Sequence, residues 1–327
     1  MNEADSLPHL LGSLSAQTHA PDEIVIVDGG STDATLDVLH ANARRLPLRI
    51  ISQPGANISQ GRNAAIRAST GDIICSTDAG VRLDAGWVEE LTRPFTDEGR
   101  KTKDESDLRS SFVVRPSSVD VVSGFFIPDP HGVFETALAA TTLPALADIR
   151  PDGFLPSSRS IAFRKAAWEK VNGYPEWLDY CEDLLFDFAL RGAGYRFTFA
   201  PRAIVHFRPR ASLRAFFKQY YLYARGDGKA NLWFKRHFLR YFTYLVALPL
   251  VIWLTATAPL LALPLWLAGA AFMFFTPYKR LVRMLRGFSF IDKARAILWV
   301  PIVRVTGDAA KMIGYPAGVF WRMKRQQ

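Results

Sequence analysis

Leu7, Leu10, Leu11 and Leu14 recur at helical spacing, so residues 6–17 predict a helix. Ile24 to Val27 then give a short, fully apolar strand that Asp28-Gly29-Gly30 stops abruptly. Helical spacing resumes over 34–45, and Leu48 to Ser52 reads as a second strand. Residues 55–69 read as a loop entering an Ala-rich helix. Gly71-Asp72 turns the chain into a third strand, 73–77, which ends in Asp78-Ala79-Gly80. This alternation of helix and strand describes an α/β sheet. Residues 96–118 are largely polar and charged, which predicts a surface insertion of the kind that is often disordered. A strand is expected over 119–126, a helix over 182–192, and a strand and turn over 195–207.

The pattern changes after Arg240. The 38 residues between Arg240 and Lys279 carry no charge, close to two spans of the ~20 residues that cross a bilayer. The polar break Thr255-Ala256-Thr257-Ala258-Pro259 suits a hairpin turn; one long re-entrant or interfacial segment is the alternative. Lys235, Arg236 and Arg240 flank one end, and Lys279, Arg280, Arg283 and Arg286 the other, so both ends are expected in the cytoplasm. Residues 294–321 are apolar but interrupted by Arg304, Asp308 and Lys311, and read as an interfacial helix.

Charge follows the same division. Residues 1–234 hold 26 Lys/Arg and 29 Asp/Glu, whereas residues 235–327 hold 14 and 2. A basic excess confined to the most apolar part fits anionic lipid headgroups, not nucleic acid. Cys75 and Cys181 make neither a disulfide framework nor a metal set and read as reduced cytosolic thiols. Met1 to Gln17 lacks the basic start and apolar core of a signal peptide.

Several polar residues sit where chemistry is expected. A buried strand running through Asp28-Gly29-Gly30 into a helix is the geometry of a ligand site at a sheet's carboxyl edge, with Asp28 on a base or ribose; a capped turn without ligand fits equally. Asp78 also ends a strand, where it serves as a turn former or binds a ribose or a divalent cation. The two acids are expected to converge on one crevice. Arg62 and Asn63 are placed at the start of the Ala-rich helix, where a guanidinium and helix N–H groups favour diphosphate; a solvated surface Arg is the alternative. Glu182 and Asp183 open a helix, either as dipole partners or with Asp183 as a general base. Asp187, one turn on, is assigned to packing or solvent. His206 is a structural residue or completes the coordination of a metal held by Asp78, with Arg208, Arg210 and Arg214 left to neutralise a diphosphate or lipid headgroups.

Four blocks in order carry a resemblance: VDGGSTD at 27–33, GRNAAIRASTGDIICSTDAG at 61–80, YCEDLLFDFALRGAGYR at 180–196 and AIVH at 203–206. Over roughly residues 3–230 the chain resembles the family 2 glycosyltransferases. It is most similar to the succinoglycan-type β-1,3-glucosyltransferase subgroup, which also shows a segment like RASLRAFFKQYYLYARGDGK (210–229) before C-terminal membrane helices.

The resemblance implies a GT-A α/β fold and inverting transfer from a nucleotide-sugar donor, UDP-linked, to a lipid-linked or envelope polysaccharide acceptor. It implies that Asp28, Arg62 and Asn63 serve the nucleotide and that Asp78 takes the first place of a metal-binding DxD motif for Mg2+ or Mn2+. Asp183 would be the catalytic base with Glu182 beside it, and His206 a late metal ligand. Residues 1–95 would be the nucleotide-sugar half, 96–118 the insertion, 119–232 the acceptor half, and 233–327 a membrane hairpin with interfacial helices. The expected location is the inner membrane, multi-pass, with the enzyme domain in the cytoplasm among membrane lipids and without a nucleic-acid partner.

Four departures qualify the match. Asp28-Gly29 replaces the usual Asp-Asp, and Asp78-Ala79-Gly80 lacks the second acid of DxD. Gln219 is followed by Tyr220, Tyr221, Leu222 and Tyr223 in place of QxxRW, which argues against a polymerising synthase. Family members begin with a strand like VSVIIPTYN, whereas this chain begins Met1-Asn2-Glu3. A start assigned too late, or a truncated gene, is the expectation, and the DNA upstream of Met1 tests it. Two rivals remain: a polyprenyl-phosphate sugar synthase, and a non-catalytic membrane scaffold or glycan-binding subunit.

Overall fold

The computed structural model describes residues 1–104 and 119–325. Its elements run α1 (Leu7–Ser15), β1 (Ile24–Asp28), α2 (Thr35–Asn42), β2 (Leu48–Ser52), α3 (Ile58–Ala68), β3 (Ile73–Ser76), β4 (Val81–Leu83), α4 (Trp87–Asp104), β5 (Val121–Pro128) and α5 (Val133–Thr142). Then come β6 (Ile161–Arg164), α6 (Lys165–Lys170), α7 (Glu182–Gly192), β7 (Phe197–Phe207), α8 (Leu213–Lys229), α9 (Phe234–Phe242), α10 (Leu248–Thr257), α11 (Pro259–Met284) and α12 (Phe290–Arg325). They form two compact units: Met1–Ile127 with Leu146–Phe207, and Pro128–Ala145 with Arg208–Gln327. The second unit therefore takes α5 and α8, which the sequence places in the enzyme segment.

In the first unit the four leucines of α1 are buried together with Trp87, Val88 and Leu91 of α4 and Val205 of β7. Burying side chains of this size stabilises by about 1.5–3 kcal/mol each, which is why the helical spacing is legible. The sheet is in two parts. β1 and β2 pair in parallel from Ile24 opposite Leu48 to Asp28 opposite Ser52. The other five strands run in the order β3-β6-β5-β7-β4, with β3 and β5 antiparallel to β6 and β4 antiparallel to β7. β1 and β3 do not pair, and every residue of β3 is only partly buried, as befits a strand with one open edge.

On the other face Tyr174, Phe186 and Leu190 pack with Val121, Ile161 and Phe163. The rings of Tyr174 and Phe186 stack at 4.1 Å, which seats α7 against β5 and β6. The polar segment expected from residue 96 is in part helix: α4 continues through Asp104, while 105–118 lie outside the described residues.

In the second unit α8 and α12 approach so closely that only glycine fits. A Cβ on Gly314 would lie 2.2 Å from the Tyr221 carbonyl oxygen, and one on Gly318 2.1 Å from that of Arg225. The helix expected over 294–321 is present as α12, which carries Arg304, Asp308 and Lys311, and Asp308 is buried. Two helical stretches, Phe234–Thr257 and Pro259–Met284, are long and apolar enough to cross a membrane, and almost none of either is buried within the protein. The break between them falls at Ala258 (φ −148°, ψ 68°), inside the expected turn.

Candidate active site

Asn57 sets the start of α3. Its side chain accepts from the Gln60 N–H while Gln60 returns the bond to the Asn57 N–H, a reciprocal cap. The helix therefore begins four residues before Arg62, which lies in the second turn and not at the terminus the sequence suggests. Arg62 is no surface residue either. Its Nη2 lies 2.6 Å from Asp78 Oδ1, its Nη1 lies 2.7 Å from Glu182 Oε1, and the side chain is 12% exposed. One guanidinium thus ties α3, the loop after β3 and the first turn of α7 together. Burial works against its charge, but Asp78 and then Tyr174, Glu182 and Asp183 more than offset this and raise its pKa.

Asp78 receives a second cation, Arg159, which was not among the expected site residues. Arg159 Nε stands 3.3 Å from Asp78 Oδ2, and its guanidinium lies over the Phe207 ring, 4.9 Å from the centroid. Burial alone would raise the Asp78 carboxyl, yet Arg62 and Arg159 hold it below the usual carboxylate range. The only sequence signal for Arg159 is a single charge among serines, Ser157-Ser158-Arg159-Ser160, just before a buried strand.

The acids of α7 behave oppositely. Burial, then the charge of Asp183, raises the pKa of Glu182; burial raises that of Asp183, against the lowering influence of Arg62 and Arg159. Asp183 Oδ1 accepts the Leu184 N–H at 2.9 Å. A raised carboxylate pKa is what a general base needs near neutral pH. The residue before them, Cys181, has φ +67°, a strained conformation for a side chain of any size. Asp187 is 1% exposed and its Oδ2 has no hydrogen-bond partner.

Asn63, adjacent to Arg62, has all four hydrogen-bonding positions used. Its Nδ2 donates to Tyr174 O (2.8 Å) and Glu176 Oε1 (2.9 Å), and its Oδ1 accepts from Trp168 Nε1 (3.1 Å) and Tyr174 N (2.9 Å). It joins α3 to the segment carrying Tyr174 and has no bond left for a diphosphate. Asp28 is similarly engaged. Its Oδ2 accepts from the Gly30 N–H (3.0 Å) and Ser31 N–H (2.9 Å), and its Oδ1 from the Ser31 hydroxyl (2.5 Å). Burial would raise its pKa, but these bonds outweigh it and keep the carboxylate ionised. Gly30 has φ +99°, which a side chain would strain. Asp28 ends β1, whereas Asp78 lies in the loop after β3, a strand of the other sheet.

His206 Nε2 lies 2.8 Å from Asp84 Oδ1. Among the described residues no three His, Cys, Asp or Glu side chains are grouped to hold a metal ion. A single carboxylate in the loop after β3 suits Mg2+ or Mn2+ only when a diphosphate supplies further oxygens, a usual arrangement for Mg2+. Arg208 belongs to the second unit, where its Nη2 meets Glu135 Oε1 at 2.6 Å, so it is already neutralised. Arg210 and Arg214 are exposed.

Residues 1–102 match the model of glycosyl transferase family 2. The succinoglycan biosynthesis protein ExoA of Rhizobium meliloti is 24% identical over 232 residues, spanning 70% of this chain and 67% of that protein. The O-antigen chain rhamnosyltransferase RfbN of Salmonella typhimurium is 23% identical over 231 residues, 67% of this chain and 68% of that protein. These two identities are too close to single out a succinoglycan-type subgroup. A mannosyltransferase, PcManGT, from Pyrobaculum calidifontis, solved with GDP-Man and Mn2+, aligns over 100% of this chain and 85% of its own with 17% identity and a TM-score of 0.52. That likeness gives the α/β architecture its type, GT-A, and the sequence matches make residues 1–102 similar to glycosyl transferase family 2.

Proposed function

We propose that the chain transfers a sugar from a nucleotide-diphosphate donor, UDP-linked, to a hydroxyl of a lipid-linked or envelope glycan at the cytoplasmic face of a membrane, with inversion at the sugar carbon. The observation that carries this reading is the Arg62 clamp. It holds a guanidinium between Asp78 and Glu182, with Arg159 on the other oxygen of Asp78 and Asp183 next to Glu182. Two cations and a carboxylate of raised pKa gathered in one cluster match the charges that develop in such a transfer.

Asp183 takes the proton of the acceptor hydroxyl as that oxygen bonds to the sugar carbon. The bond from that carbon to the diphosphate breaks, and its electron pair leaves with the phosphate. Arg62 and Arg159 neutralise the departing charge. A divalent cation, when bound, would be held by Asp78 with donor phosphate oxygens and would add Lewis-acid stabilisation. Glu182 keeps Arg62 in place. Fixing donor and acceptor together supplies further acceleration. The succinoglycan and O-antigen relatives support an envelope polysaccharide as acceptor. The two apolar helices with basic ends support membrane attachment.

The test is a donor screen, UDP- against GDP-sugars, on membranes from expressing cells with lipid-linked oligosaccharide as acceptor. Asp183→Asn is expected to abolish transfer, by 10³-fold or more on the order of a lost general base, while nucleotide-sugar binding by calorimetry survives. Transfer by that variant near the wild-type rate removes Asp183 as the base.

A further inference from the structure

The second unit contains a charged cavity that the transfer chemistry does not use. It has a volume of about 120 Å³ and is lined by Thr142 of α5, Tyr220 of α8, and Arg304, Gly307, Asp308 and Lys311 of α12. A water needs only about 15 Å³. Gly307 and Phe216 meet in its lining, where a Cβ on Gly307 would lie 3.0 Å from the Phe216 ring.

The charges around it do not balance. Asp308 accepts from Arg240 Nε at 2.7 Å and from the Tyr244 hydroxyl at 3.1 Å, and Arg304 Nε lies 3.3 Å away. That Arg304 Nε is buried and not aligned for a hydrogen bond. Lys311 Nζ lies over the Tyr220 ring, 4.7 Å from its centroid. Three cations therefore surround one carboxylate, and the next acid, Asp227, already holds His237 Nε2 at 3.1 Å. Burial, then Arg240 and Arg304, push the Lys311 ammonium down to about 8. Gathering partly buried cations beyond the available anions costs stability, and an anion in the cavity would offset that cost. Arginine and lysine together with a hydroxyl are the groups that bind phosphate.

Location limits the kind of anion. Arg240 stands in the first membrane-length stretch, Phe234–Thr257, near its charged end. A phosphate held here leaves an attached chain to run beside that apolar helix, as lipid headgroups do in basic pockets between membrane helices. We propose that this cavity binds the phosphate headgroup of a polyprenyl-type lipid, the carrier of the acceptor. This rests on the lipid-linked acceptor of the reading above.

The experiment uses the full chain in nanodiscs, with binding of polyprenyl phosphate, uncharged polyprenol and inorganic phosphate measured for wild type, Lys311→Gln, Arg304→Gln and Lys311→Arg. Wild type is expected to bind polyprenyl phosphate at least tenfold more tightly than either Gln variant. Lys311→Arg is expected to retain binding, and polyprenol is expected not to distinguish the proteins. Melting temperatures in detergent within a few degrees of wild type show that the variants are folded; if one Gln variant does not fold, the other is read. Equal binding of polyprenyl phosphate by wild type and a folded Gln variant overturns the proposal. Inorganic phosphate binding as tightly as the lipid overturns the lipid as ligand. The two readings fail separately. Headgroup binding that depends on Lys311, with no sugar transfer to any lipid, upholds the cavity and sinks the acceptor assignment. Transfer to lipid with the same KM in wild type and Lys311→Gln does the reverse.

Discussion

Arg62 is the residue on which the first unit's chemistry turns, because it is shared by Asp78 and Glu182, acids of two separate elements. Its charge also lowers the pKa of Asp183, which burial raises. Arg62→Gln should therefore do two things. Transfer should fall by about 10²–10³-fold, the usual cost of a preorganised charge-stabilising donor. The acid limb of the pH–rate profile should move to higher pH, since a base must be deprotonated to act and Asp183 would hold its proton more tightly. A profile whose acid limb stays in place would separate Asp183 from Arg62. Asp187 offers a stability test at the same scale. Burial raises its carboxyl well above the usual value, with Asp183 adding to this and Arg191 opposing it. Its folded state binds the proton more tightly than the unfolded chain. That contribution is full below the unfolded pKa, near 3.9, and is lost as pH rises through the folded pKa, by up to about 1.4 kcal/mol per pH unit. Asp187→Asn cannot lose it, so its melting temperature relative to wild type should rise from pH 5 to pH 8. A constant difference across that range would show that Asp187 does not titrate there. The acids were legible in the sequence because they stand at element ends. Arg159 was not, because its partner Asp78 is 81 residues away and no local pattern encodes that meeting.

Elements with a strong period were read close to their observed bounds: β2 at Leu48–Ser52, α7 at Glu182–Gly192, and the break between α10 and α11. What escaped was short or non-local. β6 has four residues and α6 six, too few for either period to show. The start of α3 was misplaced because the capping pair Asn57 and Gln60 reads as loop composition until its two bonds are seen. The glycines of α12 carried a message that needed a partner to decode. Gly314 and Gly318 face backbone carbonyls of α8 at distances no Cβ could keep. Gly314→Ala should destabilise the second unit by about 1–3 kcal/mol, the range for overpacking a closed contact. An alanine at Gly269, where nothing lies within 4 Å of the added carbon, is the control and should change little. Thermal unfolding in detergent reads both; equal melting temperatures for the two variants would mean that α8 and α12 separate without cost.

At the scale of the whole molecule, composition and structure meet in the C-terminal helices. The basic excess of residues 235–327 lies at the ends of the two apolar stretches, with Lys235, Arg236 and Arg240 at one and Lys279, Arg280, Arg283 and Arg286 at the other. The stretches have 24 and 26 residues, so each reaches about 36–39 Å at 1.5 Å per residue, enough for a hydrocarbon core of about 30 Å. Leu250, Trp253, Leu260, Leu267 and Phe272 are exposed, although burial of such side chains is favourable. A bilayer would cover them, and the basic ends would hold both termini of the hairpin on the cytoplasmic side. The consequence is a topology that labelling can read. A cysteine at Thr257, beside the turn, should react with a membrane-impermeant maleimide in intact bacterial cells stripped of the outer membrane. A cysteine at Arg286 should react only after lysis. The native thiols are poor competitors, since Cys181 is buried and burial pushes the Cys75 thiol up to about 12. The protein should also resist extraction by alkaline carbonate. Labelling of both positions only after lysis, with release by carbonate, would put the two helices on the membrane surface, and the catalytic residues would then work beside the bilayer without an anchor through it.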